Sequence, residues 1–276
     1  MLAALPYFHL RATRIPGILQ RIAVCFLVSA VLVRTTGWRA QAGVLWCLLV
    51  GYWLLMTRVP VPGYGAGALD SRVGNLAAFV DRSLLGHHLW KGTWDPEGLL
   101  STLPAIATTL CGVLAGHLLR AKLDRGRKTL ALVVAGSAGV GLGLAWQPWF
   151  PINKSLWTSS YALVTAGLAL GALALCHWLI DVRGFRRWAL PLVILGTNAI
   201  AAFFLSEVLD RMLVLVPMPL HGSSARPRSV KAWMYAHAFV SWAGPVHGSW
   251  LYALTYLLGW MGVLALLYRK NIFIQI

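Results

Sequence analysis

The sequence predicts an all-α, polytopic membrane helix bundle, and composition, run length and tryptophan placement each support this prediction. The 276 residues are 58% hydrophobic and only 12% charged, whereas soluble domains carry about 25% charged residues. Seven apolar runs are long enough to cross a bilayer core, which takes about 20 residues of helix. Many of the 14 tryptophans stand at the ends of these runs, as in the aromatic belts of membrane interfaces.

The seven predicted spans form a single integral-membrane domain over residues 1–276. They cover residues 17–34, 40–57, 99–119, 129–146, 156–180, 188–209 and 250–268. Between spans, the apolar spacing in residues 72–86 predicts a further helix. Residues 230–242 resemble an amphipathic helix that lies in the membrane interface.

The basic residues predict the orientation of these spans. Loop 120–128 holds five cations in nine residues and loop 181–187 holds three, and short basic loops face the cytoplasm. The C-terminus is then cytoplasmic, and the long segments 58–98 and 210–249 are external. Contact of these loops with anionic lipid explains the net charge of +16, and no nucleic-acid partner is expected.

Two polar blocks stand where the third and fifth spans begin. Asp95 and Glu97 belong to an Asp-Pro-Glu-Gly sequence that suits a helix start, or they line an external pocket. Asn153, Lys154 and Trp157 belong to the second block. There Asn153 or Ser155 caps the fifth span, or the block forms a pocket wall.

Four further polar residues lie at or inside the predicted spans. Arg14, Gln20 and Arg21 stand at the outer end of the first span, where arginines either snorkel to the interface or line a pocket. Asn198 lies in the middle of the sixth span. An amide at that depth needs a partner, so Asn198 either bonds a neighbouring helix or belongs to a site.

Standard catalytic motifs are absent from the sequence. It contains no HExxH, GxSxG, P-loop or GxGxxG pattern. The four cysteines lie singly in apolar runs, which is typical of buried structural thiols. No metal site is expected.

Five ordered blocks carry a resemblance to a known family: RIPGILQRIAV, WDPEGLLSTLPAIATTLCGVLAGHLL, PINKSLWTSSYALVTAG, ILGTNAIAAFFLSE and ALLYRKNIFIQI. From about Leu5 to Ile276, the chain resembles the heparan-alpha-glucosaminide N-acetyltransferase family and its bacterial relatives. The substrate or pocket candidates in these blocks are Arg14, Gln20, Arg21, Asp95, Glu97, Asn153, Lys154, Trp157 and Asn198.

The resemblance implies a transmembrane acyltransferase of a bacterial inner membrane. Such a protein moves an acetyl group from cytoplasmic acetyl-CoA, its co-substrate, to the amine of a glucosamine-type sugar on the periplasmic side. The basic loops suit the phosphates of CoA, and an acidic, amide-rich outer pocket would suit an amino sugar. The spacing of Gly112 and Gly116 also admits a homodimer.

One departure from the family pattern bears on activity. Members of the family carry further spans before the RIPG block, and these spans hold the histidine assigned as catalytic. No histidine of this sequence matches it, so the catalytic residue stays unknown. We expect the chain to be a truncated part of a ten-span protein. The alternative is a non-catalytic carrier or binding protein for a sugar or lipid headgroup.

Overall fold

The computed structural model describes residues 14–218 and 228–274. These divide into two compact units, an N-terminal unit that ends at Gly184 and a C-terminal unit that begins at Phe185. The described residues of both units are largely helical, and their strands are two-residue pairs.

The regular elements of the N-terminal unit are α1 (Ile18–Thr35), α2 (Trp38–Arg58), β1 (Pro60–Val61), β2 (Gly65–Ala66), α3 (Leu76–Leu85), α4 (Thr102–Arg120), α5 (Arg125–Trp146) and α6 (Ser159–His177), with a 3₁₀ turn at Trp90–Gly92 and a π-helical turn at Trp178–Val182. Those of the C-terminal unit are α7 (Leu190–Thr197), α8 (Ala199–Leu215), β3 (Pro217–Met218), β4 (Arg228–Ser229), α9 (Val230–Met234) and α10 (Ser241–Arg269), with a 3₁₀ turn at Arg187–Ala189 and a π-helical segment at Tyr235–Val240. Strand β1 pairs with β2, and β3 with β4, both antiparallel.

Among the described residues, six helices are long and apolar enough to cross a membrane. A seventh span results when the bent pair α7 and α8 is counted as one. The prediction of an all-α, polytopic membrane protein is therefore confirmed. The predicted helix in residues 72–86 is also confirmed, as α3.

The last two predicted spans differ in detail from the structure. The run 188–209 is broken at Asn198, where α7 and α8 meet at an angle of 64°. The segments 230–242 and 250–268 join into one helical stretch, which is interrupted at Gly244. Gly244 has φ of 73° and precedes Pro245. Because proline excludes its predecessor from helical geometry, a glycine is favoured at this kink.

Two predicted helix caps are also corrected. Helix α4 begins at Thr102, so Asp95 does not cap it. Helix α6 is capped by Thr158, whose hydroxyl accepts a hydrogen bond from the Tyr161 N–H. Asn153 instead accepts hydrogen bonds from two backbone N–H groups of its own loop.

Helix α4 lies at the centre of the N-terminal unit and packs against α1, α2 and α6. Leu49 and Leu110 are fully buried in this interface. A second apolar cluster around Tyr52 and Phe150 supports the connecting segments 59–101 and 147–158. The Tyr52 hydroxyl donates to the carbonyl of Leu156 at 2.7 Å. We call this side of the unit the loop end.

Helices α5 and α6 approach more closely than a β-carbon would permit. A Cβ atom added to Gly167 would lie 2.6 Å from the Gly136 carbonyl oxygen and 2.6 Å from the Val140 nitrogen. Cβ atoms added to Gly139 and Gly143 would come within 3.1 Å and 2.6 Å of α6, respectively. Small residues at such contacts let membrane helices pack backbone to backbone.

Candidate functional site

A polar cavity of about 520 Å³ opens at the loop end of the N-terminal unit. The basic side chains of Arg21, Arg72 and Lys154 line it. Aromatic and acidic groups complete much of the wall; they are Trp90, Trp94, Trp157 and Glu97. Residues from α1, from the segment 72–97 and from the segment 154–157 therefore meet in one site.

Arg21 is the buried cation of this cavity, with 8% of its surface exposed. Its Nη2 donates to the Pro96 carbonyl at 2.8 Å and to the Ser101 hydroxyl at 2.5 Å. The guanidinium also lies over the Trp157 ring at 5.3 Å, a cation–π geometry. Its Nε is buried and has no hydrogen-bond partner among the described residues.

Arg14 pairs with both acids of the Asp-Pro-Glu-Gly sequence. Its Nε donates to Asp95 Oδ2 at 2.7 Å, and its Nη2 donates to Asp95 Oδ1 at 2.5 Å and to Glu97 Oε2. Asp95 also accepts from the backbone N–H groups of Trp90 and Glu97. The side chain of Asp95 is fully buried, so these bonds hold the segment in place.

The charges of this pair shift both pKa values. Burial alone would raise the pKa of Asp95, but the hydrogen bonds from Arg14 and from the two N–H groups outweigh it and hold the pKa below its usual value. The Asp95 carboxylate in turn raises the pKa of Arg14. The lining of the cavity holds three basic side chains and one acidic side chain, so the cavity is predominantly cationic and not acidic as expected.

Asp81 on α3 is a buried carboxylate that sequence reasoning did not select. It is 1% exposed, and its Oδ1 accepts from the Leu99 N–H at 2.9 Å. Burial raises its pKa to about 6. A Cβ atom at Gly98 would collide with this carboxylate, so the glycine lets the chain pass close to Asp81.

We expect Asp81→Asn to change the pH dependence of stability. Since burial raises the pKa of Asp81 to about 6, the folded state holds the proton more tightly than the unfolded state. The contribution of Asp81 to wild-type stability is then greatest below about pH 4, the usual range for Asp, and is lost as pH rises through about 6. The amide oxygen of the asparagine can still accept the hydrogen bond from the Leu99 N–H, and the side chain does not ionise.

Thermal unfolding of both proteins from pH 4 to pH 7 tests this expectation. The two unfolding temperatures should agree near pH 4, and the variant should be higher by a few degrees near pH 7. A difference that stays constant over this range would show that Asp81 does not titrate there.

Trp157, which lines the cavity, has a strained backbone. Its φ of 51° lies in the left-handed region, which costs free energy for a bulky residue. The indole Nε1 donates to Thr108 Oγ1 at 3.2 Å, and the ring packs edge-on against Tyr161 at 5.4 Å. The surrounding structure therefore holds Trp157 in an unfavourable conformation at this position.

A second cavity, of about 440 Å³, runs as a groove between α4 and α6. Thr108 and Leu119 mark its extent on α4, and Gly112 and Gly116 lie between them. No atom lies within 4 Å of a Cβ added to either glycine. Trp157 lines both this groove and the polar cavity, so the two spaces are neighbours at the loop end.

No family profile matches the chain. Heparan-alpha-glucosaminide N-acetyltransferase of Mus musculus is 30% identical over 251 residues, covering 71% of this chain and 38% of the mouse protein. The Homo sapiens protein of the same name is 29% identical, covering 71% of this chain and 37% of its own length.

The chain is a relative of the heparan-alpha-glucosaminide N-acetyltransferases. This confirms the resemblance seen in the five sequence blocks. The chain spans somewhat more than a third of the length of these curated relatives.

The nine candidates of this N-acetyltransferase relative fall into five groups in the structure. Arg21, Glu97, Lys154 and Trp157 line the polar cavity. Arg14 and Asp95 form the ion pair beside it. Gln20 is exposed on α1, and Asn153 organises its loop.

Asn198 lies in the C-terminal unit, at the break between α7 and α8. It is fully buried, its Nδ2 donates to the Ile272 carbonyl at 3.1 Å, and its Oδ1 accepts from the Ile274 N–H at 2.7 Å. These two hydrogen bonds join the break between α7 and α8 to the backbone of residues 272–274, so Asn198 has a structural role. Sequence reasoning missed Arg72, Trp90 and Trp94, which lie in the long connecting segment 59–101.

Two histidines lie at the other end of the N-terminal unit, which we call the basic end. His117 Nε2 and Gln41 Oε1 are 2.9 Å apart, and the Gln41 amide also donates to the Thr36 carbonyl. His177 contacts Thr129. In residues 14–218 and 228–274, no three His, Cys, Asp or Glu residues are grouped so that they could hold a metal ion.

Proposed function

We propose that this protein is a membrane acetyltransferase that uses acetyl-CoA to acetylate the amine of a glucosamine-type sugar. The curated relatives are named as N-acetyltransferases of heparan-alpha-glucosaminide. The observation that carries the proposal is the position of Trp157 between the groove and the polar cavity. A thioester in the groove and a sugar in the cavity would meet at this side chain.

The charge distribution supports entry of acetyl-CoA from the cytoplasm. Arg125 Nη1 donates to the Asp181 carbonyl at 2.7 Å, so the start of the second basic loop lies beside the first at the basic end. By the positive-inside rule, this end faces the cytoplasm. The polar cavity then opens on the opposite side, which is the periplasm if the host membrane is a bacterial inner membrane.

The groove has the shape that a long, narrow donor would need. From Thr108 to Leu119 the helix rises about 16 Å, and Gly112 and Gly116 leave room along this path. The phosphates of CoA would remain near the basic loops, where Lys122 is exposed. Gly112 and Gly116 also suggested a homodimer, which stays a prediction.

The reaction needs a neutral amine. The amine nitrogen attacks the thioester carbonyl carbon, the C–N bond forms, the C–S bond breaks and CoA leaves as a thiolate. A general base takes the proton from nitrogen. The proposal covers direct transfer and transfer through an acetylated histidine, and it assigns the base to no described residue.

We expect Gly116→Phe to block acetyl transfer, because a phenyl ring at this position would fill the groove. Gly43→Phe is the matched control: Gly43 is exposed on α2, and no atom lies within 4 Å of its added Cβ. Transfer of labelled acetyl from acetyl-CoA to glucosamine would be measured in sealed vesicles that contain each protein. The rate should fall at least tenfold for Gly116→Phe and remain near wild type for Gly43→Phe.

The same assay distinguishes the proposal from a non-catalytic carrier. Wild-type vesicles that bind glucosamine but transfer no acetyl group would favour the carrier. Equal rates for Gly116→Phe and Gly43→Phe would reject the groove as the donor route.

A further inference from the structure

We infer that an apolar groove in the C-terminal unit binds one acyl chain of a zwitterionic phospholipid, phosphatidylethanolamine, with the headgroup at the Lys231–Asp210 ion pair. The groove has a volume of about 630 Å³ and is formed by α8, the segment 234–239 and α10. Its lining shares no residue with the two cavities of the N-terminal unit. The inference therefore does not rest on the proposed function.

The lining of the groove suits a flexible apolar chain. Among the described residues, no charged side chain lines it. The rings of Tyr252, Tyr256 and Trp260 follow one another along α10, with neighbouring ring centres 6.3 and 6.4 Å apart. Met212 and Met234 also line the groove, and methionine side chains adapt to irregular apolar surfaces.

The length and position of the groove match one leaflet of a bilayer. From Tyr252 to Val263, eleven positions along α10, the helix rises about 16 Å. One leaflet supplies half of a hydrocarbon core of about 30 Å, or about 15 Å. Leu209 and Met212 of the lining are 41% and 61% exposed. Exposed side chains in a membrane helix contact lipid, so an acyl chain can enter the groove directly from the bilayer.

The Lys231–Asp210 ion pair stands at one end of the groove. Lys231 Nζ donates to Asp210 Oδ1 at 2.5 Å, and both residues interact electrostatically with Tyr252. Tyr252 is the first residue of α10 that lines the groove. The two charged side chains are 35% and 40% exposed, so a headgroup can reach them. Because the C-terminus is predicted to be cytoplasmic, this end belongs to the external leaflet.

The charges of the pair are complementary to those of phosphatidylethanolamine. The pair uses one of the three donors of the Lys231 ammonium, which leaves donors for a phosphate. A carboxylate such as Asp210 can accept several hydrogen bonds, including one from the headgroup ammonium. Phosphatidylcholine has no N–H group, and phosphatidylglycerol has no ammonium. Each of these lipids therefore matches only half of the pair.

Native mass spectrometry of the purified full chain, stripped of lipid, tests the groove. The chain would be titrated with phosphatidylethanolamine, phosphatidylcholine and phosphatidylglycerol that carry the same acyl chains. We expect phosphatidylethanolamine to bind at least fivefold more tightly than either of the others. Gly259→Phe should weaken the binding of all three at least tenfold, because Gly259 lines the groove and no atom lies within 4 Å of its added Cβ.

Gly262→Phe is the matched control on the same helix. Gly262 is exposed, no atom lies within 4 Å of its added Cβ, and it is not part of the lining. This variant should bind all three lipids as wild type does. If the phenyl ring of Gly259→Phe prevents folding, Gly259→Leu takes its place.

Two further variants test the headgroup contacts. Asp210→Asn should remove the advantage of phosphatidylethanolamine over phosphatidylcholine, because the neutral amide no longer attracts the ammonium. Lys231→Gln should weaken the binding of all three lipids at least threefold, because all three carry a phosphate. The ratio between two lipids is measured on one protein, so a modest loss of stability in a variant does not change it.

Three outcomes would overturn the inference. They are equal lipid binding by Gly259→Phe and Gly262→Phe, equal affinity of wild type for the three headgroups, and a wild-type dimer that Gly259→Phe converts to a monomer. The last would show that the groove is a contact between two copies of the chain. None of these outcomes depends on acetyl transfer, so the inference and the proposed function can fail separately.

Discussion

Gly167→Ala should destabilise the N-terminal unit strongly, although alanine is the better helix former. The added methyl group would lie 2.6 Å from the Gly136 oxygen and the Val140 nitrogen, and these backbone atoms can move only if the helices separate. Overpacking of this kind costs about 1–3 kcal/mol, and sometimes more. Thermal unfolding in detergent, followed by size-exclusion chromatography, would measure the loss.

Gly171→Ala is the control on the same helix. No atom lies within 4 Å of a Cβ added to Gly171. The higher helix propensity of alanine should therefore raise the free energy of unfolding by up to about 1 kcal/mol. If Gly167→Ala and Gly171→Ala unfold at the same temperature, α5 and α6 are not in backbone contact.

Asp95→Asn should lower the free energy of unfolding by about 2–4 kcal/mol. The substitution leaves the Arg14 guanidinium without its main charge partner, beside a buried amide. The asparagine nitrogen cannot accept hydrogen bonds, so two of the four bonds to Asp95 are lost. Asp70→Asn is the control, since Asp70 is exposed. Chemical or thermal unfolding at pH 7 would compare the two variants with wild type.

The pH dependence of this effect has a defined sign. The pKa of Asp95 lies below its usual value in the folded state. The Arg14–Asp95 pair therefore contributes fully to the stability of the fold above about pH 4, and this contribution is lost as pH falls further. Wild type and Asp95→Asn should therefore converge in acid. Equal stability of Asp95→Asn and wild type at pH 7 would show that the ion pair does not hold the segment.

Hydrophobic run length was sufficient to predict most of the fold. The predicted span 40–57 lies within α2, for example, because a lipid-exposed helix must be apolar over its whole length. The break at Asn198 could not be predicted in this way, because the apolar run continues through it. The C-terminal tail that bonds Asn198 is distant in sequence.

The site was predictable only where polar groups interrupt a membrane span. Arg21 and Trp157 were found because a cation or a polar block at a span's end needs an explanation. Arg72, Trp90 and Trp94 lie in a long connecting segment, where polar and aromatic residues carry no such signal. Glu97 was identified, but its pairing with Arg14 depends on tertiary contact, and so does the arrival of Arg72 and Lys154 in the same lining, which makes the pocket cationic.

The contacts of Asn198 also bear on the order of assembly during synthesis. Its two partners, Ile272 and Ile274, are made 74 and 76 residues after it. The amide therefore enters the membrane before its final partners exist, and water, lipid headgroups or the insertion machinery must solvate it meanwhile. The bend between α7 and α8 can be secured only after residues 272–274 have left the ribosome, so this joint should be among the last parts of the C-terminal unit to become rigid.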